Sequence, residues 1–178
     1  MRGGPLIKHL DDVPWFEAMR LRFADGHTAS IWEKWIEYTP RYVVFYNIWE
    51  PGALAPFHGH QGDHTIFVMK GELIDGDGNR YGAGTHMMLD WGDMFGPWEA
   101  GTEGAVLYCV IMGTGKFFGG DLEGWHKLLE EKGAVSEDLP RPPVPPFADS
   151  GTSDPALKMG RAEGGSAASG RDPGKVSI

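Results

Sequence analysis

The stretch that decides the fold is Gly52-Ala-Leu-Ala-Pro-Phe-His58-Gly-His60-Gln-Gly-Asp-His64-Thr-Ile-Phe-Val-Met-Lys-Gly71. Three of the chain's seven histidines lie in its central seven residues, where an even spread over 178 residues would place well under one. His58 and His60 are separated by one residue, so on a strand both point to the same face. Gly62-Asp63 permits a bend, and His64 opens the next apolar run, Thr65 to Lys70, closed by Gly71. Three imidazoles converging from two neighbouring strands suit a facial metal site, because neutral ring nitrogens ligate divalent transition metals.

Working outward, other short runs read as strands. Tyr42 to Trp49 is rich in β-branched and aromatic residues, as strands are. Thr85 to Leu89 and Gly104 to Met112 follow the same rule, and Asp75-Gly-Asp-Gly78 and Asp90-Trp-Gly-Asp93 supply turns. Residues 11–40 are ambiguous between strand and helical turn. Asp121 to Lys132 carries Leu122, Trp125, Leu128 and Leu129 at helical spacing, with Asp121 as cap and Gly133 as stop. Short strands with one terminal helix predict an all-β barrel or sandwich. The 27 glycines fit many turns between such strands. From Ser136 onward the chain is rich in Pro, Gly and Ser, has no aromatic after Phe147, and is expected to be a disordered tail with an extended Pro-rich start. The expected organisation is an N-terminal arm (1–39), a barrel core (40–113), a helix region (114–135) and the tail (136–178).

Composition narrows the function. A net charge of −9 and a pI near 5.2 do not suit a nucleic-acid binder or an anionic membrane surface. The single cysteine, Cys109, excludes an internal disulfide framework and a Cys-based zinc ribbon. The N-terminus has no apolar signal region, and the longest apolar run, Ala105 to Met112, is too short to span a bilayer. The expectation is a soluble, cytoplasmic protein.

The stretch quoted above resembles the cupin superfamily. That family's first motif is Gly, five residues, His-x-His, three or four residues, an acid, six residues, Gly. Here it reads Gly52, His58-Gly-His60, His64 and Gly71 at matching intervals, with His64 where the family usually has glutamate. The second motif is weaker. Aligned on Gly84, it places Asp90 for the proline, Gly92 for the glycine, Phe95 for the usual histidine and Glu99 for the asparagine. The segment from Phe95 to Gly104 is also similar to the anti-sigma-factor-like cupins. The resemblance covers about residues 40–113. It implies a cupin-type double-stranded β-helix, a jelly roll, holding one divalent metal on His58, His60 and His64. Three neutral ligands would leave the full 2+ charge on the metal and several open positions.

Glu99 is a candidate fourth ligand or proton carrier, and Tyr108 a candidate proton donor. His86 and His126 read as surface or core residues, and Cys109 as a packed thiol. Phe57, Phe67, Met69, Phe95, Trp98 and Met112 are candidate pocket linings, of which alternation should send about half inside.

Three functions follow from the resemblance. One is a non-haem Fe(II) dioxygenase acting on a small anionic, enolic or phenolic substrate, since several cupin dioxygenases bind iron through three histidines. Another is a non-redox lyase, isomerase or cyclase using Zn, Mn or Ni as a Lewis acid. The third is a non-catalytic sensor that binds a metal or small molecule. Cupins usually pair, so a homodimer is expected, with neither nucleic acid nor membrane as partner.

Overall fold

The computed structural model describes residues 4–113, 115, 117–140 and 145. Among these, a short 3-10 turn at Leu10–Asp12, twelve strands and one α-helix follow in chain order: β1 Phe16–Phe23, β2 Thr28–Tyr38, β3 Tyr42–Trp49, β4 Leu54–Ala55, β5 His58–His60, β6 His64–Ile74, β7 Arg80–Gly82, β8 His86–Leu89, β9 Met94–Phe95, β10 Trp98–Met112, β11 Phe117–Gly119, α1 Leu122–Glu131 and β12 Ala134–Ser136. The larger sheet has the order β12-β1-β2-β3-β10-β6-β7, with β4 added on β10 and β8 on β6. The smaller sheet has the order β11-β5-β9. All the pairings are antiparallel, and the two sheets make a jelly roll.

The stretch left ambiguous in the sequence, residues 11–40, is mostly the hairpin β1–β2. Its strand character is hard to read because the alternation is broken twice. Register shifts fall between Glu17 and Met19 and between Trp35 and Glu37. Each shift moves the apolar set by one residue and blurs the two-residue period. The hairpin is tied down by buried polar groups. Ser30 donates its amide to Glu50 at 2.9 Å and its hydroxyl to Glu17 at 2.5 Å, and the Trp32 indole donates to Glu50 at 3.3 Å.

Where the strands are regular, alternation sorts the side chains. Val43, Phe45, Asn47 and Trp49 of β3 point inward, opposite Leu107, Cys109 and Ile111 of β10 and Ile66 and Val68 of β6. The other face of β10 and β6 carries Tyr108, Met112, Phe67 and Met69, exposed by 40–50%. Helix α1 forms as expected. The Asp121 side chain accepts from the Gly124 amide at 2.9 Å, and Trp125 and Leu129 pack on Leu21, Leu54 and Ala134. Leu122, counted in the apolar face from sequence, is 38% exposed. Pairing continues past the helix: Ser136 lies opposite Leu21, and the Glu137 amide donates to the Arg20 carbonyl. Residues 141–144 and 146–178, where most of the tail was expected, lie outside the described residues.

The long pair β6–β10 bends at a bulge between Ala100 and Ala105. Gly71 and Gly104 meet there, both with positive φ (66° and 74°). A Cβ on Gly71 would stand 2.0 Å from the Gly104 carbonyl oxygen, and one on Gly104 would stand 2.4 Å from that of Trp49. Backbone approaches backbone too closely for any side chain. Gly104→Ala is therefore expected to cost at least about 2 kcal/mol, from left-handed strain plus the clash. Urea denaturation of the variant beside wild type measures this, and an unchanged midpoint would contradict it.

Candidate metal centre

His58 and His60 sit on β5, and Gly59 between them faces the other way, as the His-x-His spacing requires. β6 opens on His64, which is opposite Ile111 of β10. The short loop through Gly62 carries the chain from the smaller sheet to the larger, and the three rings cluster. The centroids of His58 and His60 are 5.1 Å apart, and those of His60 and His64 are 4.7 Å apart, each pair near perpendicular. The Phe95 ring packs against all three, at 4.5, 5.8 and 5.5 Å from His58, His60 and His64. Phe95 pairs with His58 across β5–β9. At the position that the resemblance aligned with a ligand there is thus an apolar wall.

The electrostatics of the cluster come from burial. His64 is only 5% exposed, and neither ring nitrogen has a hydrogen-bond partner. Burial, followed by repulsion from His58, brings its pKa down to about 3. Burial, then His64, brings His60 down to about 2, against a backbone hydrogen bond to Gly115 that opposes the shift. Burial also lowers His58, whose Nδ1 donates to the Pro56 carbonyl at 2.8 Å. That bond fixes the tautomer and leaves Nε2 as the lone-pair nitrogen, as in metal-ligating histidines. All three imidazoles are neutral at physiological pH, the form a metal requires.

As placed, no three His, Cys, Asp or Glu side chains among the described residues converge their donor atoms on a metal-holding point. The donor set nevertheless fits a divalent transition metal. It offers neutral imidazoles, one of them with both nitrogens buried and unpartnered, at a cost that a bound ion would remove.

The rings line one end of a cavity of about 310 Å³. Its other walls include Phe16, Met19, Ile31, Trp35, Tyr38 and Phe45. Phe95 and Trp98, expected as linings, are there too; Phe57 lines a separate cleft instead. Three further lining groups have a buried polar atom without a hydrogen-bond partner: Asn47 Oδ1, Trp49 Nε1 and Trp98 Nε1.

Two expected proton carriers lie elsewhere. Tyr108 is opposite Tyr46 and Phe67 on the outer face, because its neighbours Leu107 and Cys109 take the inner positions of β10. Glu99 pairs with Lys132 at 2.5 Å outside the cavity. His86 and His126 are exposed, as expected. Cys109 is buried, and burial raises its thiol pKa, reinforced by Glu33.

Glu33 itself is the cavity residue that sequence reasoning missed. It lies in β2, opposite Asn47. Its Oε2 accepts the Trp35 indole N–H at 2.8 Å, while burial pushes its pKa up to about 7. The alternation of Ile31, Glu33 and Trp35 was the available signal, obscured by the bulge that follows.

The fold is that of the cupins. The family model of the ChrR cupin-like domain matches residues 7–118, and the chain belongs to that family. The match takes in β1 and β2, which the sequence resemblance did not reach. Among solved structures, the chain is similar to an acetylacetone dioxygenase from Acinetobacter johnsonii, at 16% identity and TM-score 0.53, over 70% of this chain and 83% of that one. It is similar to the polyketide cyclase RemF from Streptomyces resistomycificus, at 18% identity and TM-score 0.50, over 67% and 87%. It also matches the complex of Rhodobacter sphaeroides SigE with the anti-sigma ChrR, at 20% identity and TM-score 0.43, over 58% and 52%. A search of curated proteins finds no significant match.

His64 carries the sharpest energetic signature of the site. An apolar replacement of similar size removes two buried unpartnered nitrogens, so His64→Leu is expected to stabilise the metal-chelated chain by about 1–3 kcal/mol. Thermal melts in chelator measure this. A lower midpoint for the variant would mean that the histidine is there for stability.

Proposed function

We propose that the protein is a metal-dependent cupin enzyme acting on a small molecule, with His58, His60 and His64 as the metal ligands and Fe(II) as the native ion. The observation that carries this is the cluster of three buried, neutral imidazoles at the end of an apolar cavity, with His64 lacking any hydrogen-bond partner.

A bound ion would supply a Lewis-acidic centre with open positions for a bidentate enolic or phenolic substrate and for O₂. The chain's own residues do the rest. Pro56 orients His58 through its carbonyl. Phe95 closes one flank, which leaves the ligand set at three. Phe45, Ile66, Leu107 and Ile111 exclude water, which protects reactive species and strengthens every electrostatic contact inside. The likeness to an acetylacetone dioxygenase supports the same chemistry only at the level of the fold.

The cavity volume sets the substrate's size. An engineered apolar cavity of about 150 Å³ takes a benzene. About 310 Å³ therefore suits a substrate of one to two rings, or its acyclic equivalent.

Elemental analysis of the purified chain is expected to give about one iron per chain, lost in His60→Ala and kept in Tyr108→Phe and Glu99→Gln. O₂ uptake with small enolic and phenolic substrates then checks the reaction. Zinc, manganese or nickel surviving reconstitution trials would favour a non-redox lyase, isomerase or cyclase at the same site. Metal in neither wild type nor variant would leave a small-molecule-binding cupin.

We propose further that the expected homodimer pairs through the outer face of the larger sheet. Phe67, Met69, Tyr108 and Met112, with Met88 of β8 beside Thr65, form an apolar outer face on β10–β6–β8. Exposed apolar faces of this kind suit association. Analytical ultracentrifugation is expected to show a dimer that Phe67→Lys converts to monomer; a monomeric wild type would refute it.

A further inference from the structure

The cavity has a second chemical end. Glu33 of β2 and Asn47 of β3 are cross-strand partners, and both line the cavity. Trp35 donates its indole N–H to Oε2 of Glu33 at 2.8 Å, which leaves Oε1 as the carboxyl's second acceptor. Asn47 is 4% exposed, and its Oδ1 is buried and unpartnered. Two acceptor side chains thus stand at paired positions on the cavity wall, and Asn47 Oδ1 has no donor among the described residues. A buried acceptor without a donor is costly.

The rest of the wall limits what can bring that donor. The remaining ionisable lining residues are His58, His60, His64, Tyr38 and Cys109, with no Lys or Arg among those described. An anionic group at this end would meet a carboxyl and no counter-charge. A cationic group would have to leave water for aromatic and aliphatic walls. A hydroxyl supplies the donor without bringing a charge.

We propose that Glu33 is a specificity residue, with Asn47 beside it, that accepts a hydrogen bond from the hydroxyl of an uncharged phenol- or enol-type ligand and turns away ligands charged at that end. The proposal rests on reading the cavity as a substrate site and adds what its far end recognises. The ligand lies with its reacting oxygens toward the histidines and a hydroxyl toward Glu33. No proton or electron changes hands in this recognition.

The test uses the full chain after metal chelation, so that no anion is drawn to the histidine end. Phenol, anisole, benzoate and benzylamine are titrated by calorimetry at pH 8, where the Glu33 carboxyl is mostly ionised. Phenol is expected to bind at least about ten-fold tighter than anisole, the size of one hydrogen bond to a charged acceptor. Benzoate and benzylammonium should bind more weakly than phenol. Glu33→Gln, with thermal melts checking its folding, should bring phenol and anisole within about three-fold and admit benzoate.

A measurement without any variant guards against a misfolded one. In wild type, benzoate should bind about ten-fold tighter at pH 5.5 than at pH 8, because a protonated Glu33 can donate to it. The other ionisable lining groups do not mimic this change: burial holds the three imidazoles neutral, and the Tyr38 hydroxyl and Cys109 thiol are shifted upward. Anisole equal to phenol, benzoate equal to phenol at pH 8, benzylammonium tighter than phenol, or no binding of any probe would each overturn the proposal. The metal analysis above is separate, so a failure of the metal reading is told apart from a failure here.

Discussion

The two-residue repeat of the β-strand governs every inside-or-outside decision in this chain. Along β10, Leu107, Cys109 and Ile111 reach the cavity while Tyr108 and Met112 reach the surface. Along β5, His58 and His60 point the same way only because one residue separates them. Along β2, the same rule turns Ile31, Glu33 and Trp35 inward. A shift of one residue in any of these strands would exchange a cavity wall for a surface. The register is held by cross-strand pairing and by the bulge at Gly71 and Gly104, where only glycine fits.

The inward positions then meet the physics of burial. A jelly roll of this size offers an apolar interior, and the chain places several polar groups in it without partners. Elsewhere it satisfies such groups: Glu50 and Ser30 are as buried as His64, yet Glu50 accepts from the Ser30 amide and the Trp32 indole, and the Ser30 hydroxyl donates to Glu17. The contrast is within one molecule. Structural polar groups are paired between strands, whereas the unpartnered polar atoms of Asn47, Trp49, His64 and Trp98 gather around one cavity. Desolvation keeps the imidazoles neutral at one end and holds a carboxyl near its midpoint at the other. A ligand in such a cavity would complete what the fold leaves incomplete.

Much of this was legible in the residues. The His58-Gly-His60 spacing predicts a shared face, and the structure brings the rings together with His64. The apolar runs Tyr42–Trp49, Thr65–Lys70 and Gly104–Met112 and the capped helix α1 announce themselves, because each is dense in apolar residues between clear turn or cap signals. The hairpin β1–β2 does not, since two register shifts break its period. Glu33 was hidden for the same reason. Tyr108 and Glu99 were candidate proton carriers from their places on expected strands, but their register sends one to the outer face and the other to Lys132.

The local sequence thus determined an all-β chain, its histidine cluster, its cupin-type motif and its terminal helix, since each rests on contacts or periodicities within a few residues. The tertiary structure decided which strands share a cavity. It set Phe95 against the three imidazoles, joined Glu33 to Asn47, and moved Tyr108 and Glu99 out of the site. Those outcomes depend on pairing register between residues far apart in the chain, and register is the sum of many cross-strand contacts that no short stretch of sequence contains.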